Sequence, residues 1–278
     1  MKKRLWILLG VLLCVGAVVG GLLWRPTPAK TGEGENPPTQ TVVIAVIDTG
    51  FSTAAIPADS VRAGKNYLDP TLSTEDTYGH GTAVASVILS RYPAAQLVPL
   101  VSNAYDGGRM TQVDNDVLAG MIRDAVDVYG CHVINLSAGL ALDKPSIREA
   151  VAYAEGKGVL VVASVGNDYE TVGSFRYYPA GYDTVLAVGS VNAELTEVSA
   201  FSQRGAWVDL YACGEGITIT TLSGNTRTSD GTSYSAAYVT AVAAALLADN
   251  PTLTPAQLRE TLVQRAQPLP DGRLVLSD

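Results

Sequence analysis

Three side chains stand where chemistry is possible. Asp48 closes a run of apolar residues, His80 is one of only two histidines in the chain, and Ser233 opens a long alanine-rich segment. Histidine is the side chain that exchanges a proton near neutral pH, and a serine hydroxyl becomes a nucleophile when a neighbouring base takes its proton. A serine at a helix start also offers its backbone N–H to developing negative charge. Gly79 and Gly81 flank His80 and allow close backbone approach, and the small-residue helix that follows would hold the ring on a rigid element. Taken singly, each residue also has an ordinary structural reading: a strand-ending turn former, a satisfied histidine and a helix cap.

The elements that must position these residues read as alternating strands and helices. Val42 to Ile47 is a continuous β-rich apolar run, and a run without polar alternation belongs to a strand covered on both faces. Similar runs recur at Leu97 to Val101, Val133 to Leu136, Val159 to Ala163 and Val185 to Val188. Between them, Val113 to Val128 keeps Val117, Met121, Ile122, Ala125 and Val128 on one helical face, and Ile147 to Ala154 reads as a second helix. Ser233 to Ala248 and Pro255 to Ala266, the latter capped by Thr254, add two more. This alternation implies βαβ units with right-handed crossovers and a parallel sheet. In such sheets reactive groups gather at the carboxyl ends of strands, where Asp48 stands.

Composition narrows the class. At 278 residues, 47% of them hydrophobic and 17% charged, the chain is too apolar for disorder, and three cysteines cannot staple that length. Its formal charge of −8 divides unevenly. Lys2, Lys3, Arg4, Arg25 and Lys30 are the only charges up to residue 30, and beyond them 14 basic residues face 27 acidic ones, a balance of −13. That sign opposes a phosphate backbone, so no nucleic-acid partner is expected.

Leu5 to Trp24 is a run of 20 residues without charge, about 30 Å as a helix and enough to cross a bilayer core. Lys2, Lys3 and Arg4 load its leading flank, which keeps the amino terminus cytoplasmic, and Trp6 and Trp24 sit near its ends. The expectation is an uncleaved signal-anchor; a signal cleaved near Gly16 and Ala17 is the alternative, with the same destination for the remainder. Leu13 before Cys14 is too large for the usual lipidation pattern. Four prolines from Arg25 to Gln40 make that stretch a semi-rigid tether. The chain thus divides into a basic flank (1–4), the apolar span (5–24), the tether (25–41) and one folded domain (42–278). Cys131 and Cys213 either pair or remain free thiols, since spacing along the chain gives no distance between them.

Taken together, the three segments resemble the catalytic blocks of the subtilase family of serine proteases. Asp48 in VIDTGF, His80 in GHGTAVAS and Ser233 in DGTSYSAA follow that family's order, at separations of 32 and 153 residues. The segment VVASVGND puts Asn167 where the family carries the amide that forms the oxyanion hole with the N–H of the nucleophile. VINLSAG, ending at Ser137, Ala138 and Gly139, resembles the substrate-binding strand and pocket wall. RYYPAGY puts Tyr177 at the base of the primary specificity pocket, where the family often has a small residue, which implies a shallow pocket suited to small side chains.

The resemblance spans about residues 42 to 278. It implies a three-layer α/β fold, with a mainly parallel twisted sheet between helices, to which the uncharged run 5–24 adds one preceding transmembrane or signal-anchor helix. It also implies a serine endopeptidase acting on peptide or protein substrates, expected as a monomer and, from the leading span, outside the cytoplasmic membrane. His80 would take the proton of Ser233 and return it to the leaving amine while Asp48 holds the ring tautomer, steps that require no cofactor. Structural calcium stays compatible but unassigned, because LSRYPAAQL after the His80 helix is too short for the insertion that binds a tight calcium ion in many relatives. Only the tether stands where secreted members carry a propeptide, so the domain is expected to fold without an internal chaperone. Tyr234 and Tyr238 are bulkier than the family's usual residues after the nucleophile, which keeps open a catalytically impaired binding or sensor module. Asp48-Thr49-Gly50 also matches an aspartic-protease signature, but that chemistry needs two such carboxylates and the chain has one Asp-Thr-Gly.

Overall fold

The structure, a computed structural model, describes residues 40–277 apart from residue 107. The apolar span 5–24 and all but the end of the tether lie outside the described residues. Every residue of the strand β1 (Val43–Asp48) is buried, as a strand covered on both faces requires. Further strands are β2 (Lys65–Asn66), β3 (Gln96–Val101), β4 (Asn103–Asp106), β5 (Arg109–Gln112), β6 (Val133–Leu136), β7 (Leu160–Ser164) and β8 (Val185–Val191). After them come β9 (Leu210–Cys213), β10 (Ile217–Thr220), β11 (Thr226–Ser229), β12 (Gln267–Pro268) and β13 (Leu274–Val275). The helices are α1 (His80–Arg91), α2 (Asn115–Asp127), α3 (Pro145–Gly156), α4 (Tyr169–Val172), α5 (Thr232–Asp249) and α6 (Pro255–Arg265).

Among the described residues nine strands make one sheet, ordered β12-β13-β9-β8-β7-β6-β1-β3-β2 and parallel except where β12 meets β13. Alternate side chains of β1 enter opposite cores. Ile44 and Val46 pack with Val84 and Ile88 of α1 and Ala237 of α5, whereas Val43, Ala45 and Ile47 pack with Ile122 of α2 and Val151 of α3. Burying a side chain such as Ile44 contributes about 1.5–3 kcal/mol, and the pattern repeats along β3, β6, β7 and β8.

The step from β1 to β3 carries α1 on one face. The steps from β3 to β6 and on to β7 run the opposite way and place α2 and α3 on the other face, as a single crossover hand demands. Strand order therefore reverses beside β1, and a crevice opens at the carboxyl ends there. Helix α5 carries small apolar residues on every side, and 14 of its 18 residues are buried.

Element boundaries fall close to the sequence expectations. Helix α2 starts after Asp114, whose carboxylate accepts the N–H groups of Asp116 and Val117, and α6 starts with a capping box between Thr254 and Gln257. The hairpins β4–β5 and β10–β11 were not expected. Cys131 and Cys213 are both free thiols, and burial pushes the Cys131 thiol up to about 12. Among the described residues no helix is long and apolar enough to cross a membrane.

Candidate active site

Asp48 ends β1 with its side chain 3% exposed, and His80 is the first residue of α1. Two backbones meet between them. A Cβ at Gly81 would lie 2.3 Å from the Gly50 carbonyl oxygen, and the Gly81 N–H donates to Thr49 Oγ1 at 2.9 Å. This contact fixes the strand end against the helix start. His80 Nδ1 then lies 2.8 Å from Asp48 Oδ1 and 2.9 Å from Oδ2. A carboxylate there keeps the proton on Nδ1, so Nε2 is left to accept the hydroxyl of Ser233, whose Oγ is 3.1 Å away.

The loop before His80 is gathered by Asp76, which is 4% exposed. Its carboxylate accepts the N–H groups of Tyr78, Gly79 and Thr82 at 2.8–2.9 Å and the Thr82 hydroxyl at 2.7 Å. Burial disfavours a charged His80, but the charge and hydrogen bond of Asp48, with the charge of Asp76 behind, outweigh it. The His80 pKa is therefore raised above its usual 6.5.

Ser233 lies in the first turn of α5, where backbone N–H groups have no partner within the helix. Its neighbour Thr232 donates both its N–H, at 2.9 Å, and its hydroxyl, at 2.7 Å, to Oδ1 of Asn167. With the amide oxygen so engaged, the NH2 end of exposed Asn167 is the end left to donate. Tyr234 is 6% exposed, donates its hydroxyl to Ser229 Oγ at 3.1 Å and holds its ring 6.4 Å from that of His80. Tyr238 lies under Arg91, the guanidinium 4.7 Å from its ring. The bulky flank of Ser233 thus packs without separating Ser233 from His80.

A cleft of about 240 Å3 runs along Asp48, His80 and Ser137 to Gly139, roofed by Tyr78 and Tyr105, whose rings stack 3.8 Å apart. Asn135 donates to Ser137 Oγ at 3.1 Å and accepts the Thr240 hydroxyl at 3.0 Å, which ties this wall to α5. Beside it the Tyr177 ring fills the space between two glycines. A Cβ at Gly139 would come within 3.1 Å of Tyr177 Cβ, and one at Gly166 within 2.9 Å of its Cδ2. The Tyr177 hydroxyl donates to Asp168, whose other oxygen accepts Gln203 Nε2 at 2.8 Å, while Gln203 Oε1 accepts the Phe175 N–H at 2.8 Å. The bond to Asp168 pushes the Tyr177 hydroxyl up to about 12.

The model of the Subtilase family matches residues 39–276. The chain belongs to this family of serine endopeptidases. The M-protease of Shouchella clausii (strain KSM-K16) is 34% identical to it over 244 residues, covering 84% of this chain and 61% of that protein. Subtilisin Savinase of Lederbergia lenta is 34% identical over 239 residues, covering 82% of this chain and 84% of that one. Among solved structures, fervidolysin from Fervidobacterium pennivorans superposes with a TM-score of 0.77 at 27% identity, over 86% of this chain and 42% of that one.

Around the crevice of this subtilase stand all the residues singled out in the sequence: Asp48, His80, Ser233, Asn167, Ser137 to Gly139 and Tyr177. Asp76, Asp168, Gln203 and Thr232, which orient them, were not singled out. Among the described residues no group of three or more His, Cys, Asp or Glu side chains gathers as a metal site.

Proposed function

We propose that the chain hydrolyses internal peptide bonds with Ser233 as nucleophile, His80 as base and then acid, and Asp48 as the group that orients the ring. The observation that carries this reading is the unbroken line of hydrogen bonds from Asp48 through both ring nitrogens of His80 to Ser233 Oγ, at 2.8 and 3.1 Å. As Oγ bonds to the substrate carbonyl carbon, its proton passes to Nε2, and the imidazolium is stabilised by Asp48. The carbonyl oxygen becomes an oxyanion facing the amide of Asn167 and the N–H of Ser233, each such donor being worth about 100- to 1,000-fold in turnover. The proton on Nε2 goes to the departing amine, and water repeats the sequence to release the acyl group.

Ser137 to Gly139 flank the substrate on the acyl side, and Tyr177 closes the pocket beneath its reacting residue, so small side chains are favoured before the scissile bond. The catalytic domain, 42–278, acts as a monomer outside the cytoplasmic membrane, to which residues 5–24 direct it. Labelling with a fluorophosphonate tests the chemistry. Wild-type protein and a variant of the chain's other histidine, His132→Ala, whose Nδ1 accepts the Val43 N–H, are expected to label and cleave peptides, whereas Ser233→Ala takes no label and His80→Ala cleaves none. An unlabelled wild type sinks the proposal, and a peptide library cleaved best after large aromatic residues sinks the pocket assignment.

A further inference from the structure

A second groove, of about 560 Å3, opens on the other side of His80. Tyr78, His80 and Tyr234 line its inner wall, and residues of the β10–β11 hairpin with its connecting turn line the outer one. Ser137 to Gly139 line the first cleft instead, and Tyr177 packs against Gly139 and Gly166. In the acyl transfer proposed above, the carbonyl group lies between Ser233 Oγ and the Asn167 amide while the departing nitrogen meets Nε2 of His80. The leaving half of the substrate is thereby directed away from Asn167, past His80 and Tyr234, into this second groove.

Arg227 is the one permanent charge among the described residues that line it. In the hairpin register Arg227 faces Ile219, so the two side chains share a face of the ribbon. Ile219, 2% exposed, seats that face on the core, while Arg227 reaches the exposed rim. Its guanidinium meets only the Thr228 carbonyl, at 3.5 Å, and makes no ion pair among the described residues. The acidic neighbour Asp230 accepts the Gly216 N–H at 2.7 Å and does not line the groove. A guanidinium stays charged at any working pH and presents a fork of donors matched to a carboxylate. In a chain where 27 acidic residues face 14 basic ones beyond residue 30, an uncompensated cation on the leaving-group path is a selective feature.

We infer that this groove receives the released half of the substrate and that Arg227 selects a carboxylate there, on an acidic side chain just after the scissile bond or at the substrate's own carboxyl terminus. The inference rests on the peptidase reading. To test it, full-length wild type, Arg227→Gln and Arg227→Glu are given peptides with alanine before the scissile bond and Glu, Gln or Lys at each of the next three positions, all amide-capped. A parallel set ends two or three residues after the bond as free acid or amide, and products are followed by mass spectrometry.

Within the wild type, kcat/KM for the carboxylate peptide is expected to exceed that of its neutral counterpart by about two- to five-fold, the range of an exposed ion pair. The ratio falls to about one in Arg227→Gln and inverts in Arg227→Glu, and in the wild type it shrinks as salt rises from about 0.05 to about 0.5 M. A gain confined to internal Glu identifies a side chain as the ligand, and one confined to free acids identifies the chain terminus; either supports the inference. A labelled, cleaving wild type that treats carboxylate and neutral peptides alike overturns it while the peptidase reading stands, as does a ratio unchanged in both variants. A wild type that neither labels nor cleaves overturns both.

Discussion

Two carboxylates bear on the imidazole of His80, one by a direct bond and one through the loop it organises. Burial works against the imidazolium, but Asp48 and, more distantly, Asp76 prevail and raise the pKa. In the proposed mechanism His80 must be neutral to take the Ser233 proton, so the acidic limb of the kcat/KM profile is expected above the ordinary imidazole value. Removing the Asp76 charge in Asp76→Asn leaves the Asp48 bond intact and is expected to move that limb to lower pH, measured in rate profiles between about pH 5 and 9. An unmoved limb with a lowered melting temperature would leave Asp76 a purely structural role. For stability the sign is the reverse of a depressed carboxylate: the charged His80 favours the fold below its unfolded value, and this contribution fades as pH rises through the raised one. That Asp48, His80, Ser233 and Asn167 come together was legible in the sequence because their types are those the proposed chemistry demands. Asp76 was not, because its four bonds arise only when backbone N–H groups converge at a helix start. Asp168 and Gln203 were hidden by separations of 9 and 35 residues in the chain, closed by the fold alone.

At the scale of elements, the separation of Asp48 from His80 is set by β1 meeting α1 backbone to backbone. Gly81 is required there by contact: its missing Cβ is the space that the Gly50 carbonyl occupies. Gly81→Ala is expected to push α1 off the strand end, costing about 1–3 kcal/mol of stability by overpacking. It should also lower kcat more than it raises KM, since the proton path is stretched while the substrate walls remain. Thermal melts and steady-state rates check this, and full activity with native stability would mean the contact is slack. The covered strands were readable because burial on both faces leaves no polar alternation, and α2 because one of its faces meets the sheet. The hairpins carry no such signal, for the opposite reason. Arg109 to Gln112 of β5 is exposed throughout, and β11 is polar along its length, so neither carries the apolar period by which a strand is recognised. Arg227, on β11, reads as an ordinary solvated residue until its strand is paired with β10.

For the whole molecule, the −8 of the full chain is the charge of no single surface, since a basic leading segment is summed with an acidic remainder of −13. The inferred carboxylate meets that acidic field at long range and the Arg227 cation at the rim of the second groove, so salt alters approach and local selection in opposite directions. The nine-stranded sheet divides the interior into two cores, and α5 lies within one of them, touching α1, α6 and the strands β6 to β9. Ser233 is therefore mounted on an element held by packing against two helices and four strands. Fluorophosphonate labelling measured up a temperature ramp should accordingly fall in the same single transition as far-ultraviolet circular dichroism, and an earlier loss of labelling would reveal a site that loosens by itself. With the proposed nucleophile carried by a helix wrapped in core, reactivity would be a cooperative property: a chain able to acylate would be a chain wholly folded, and the covalent adduct would count native molecules one by one.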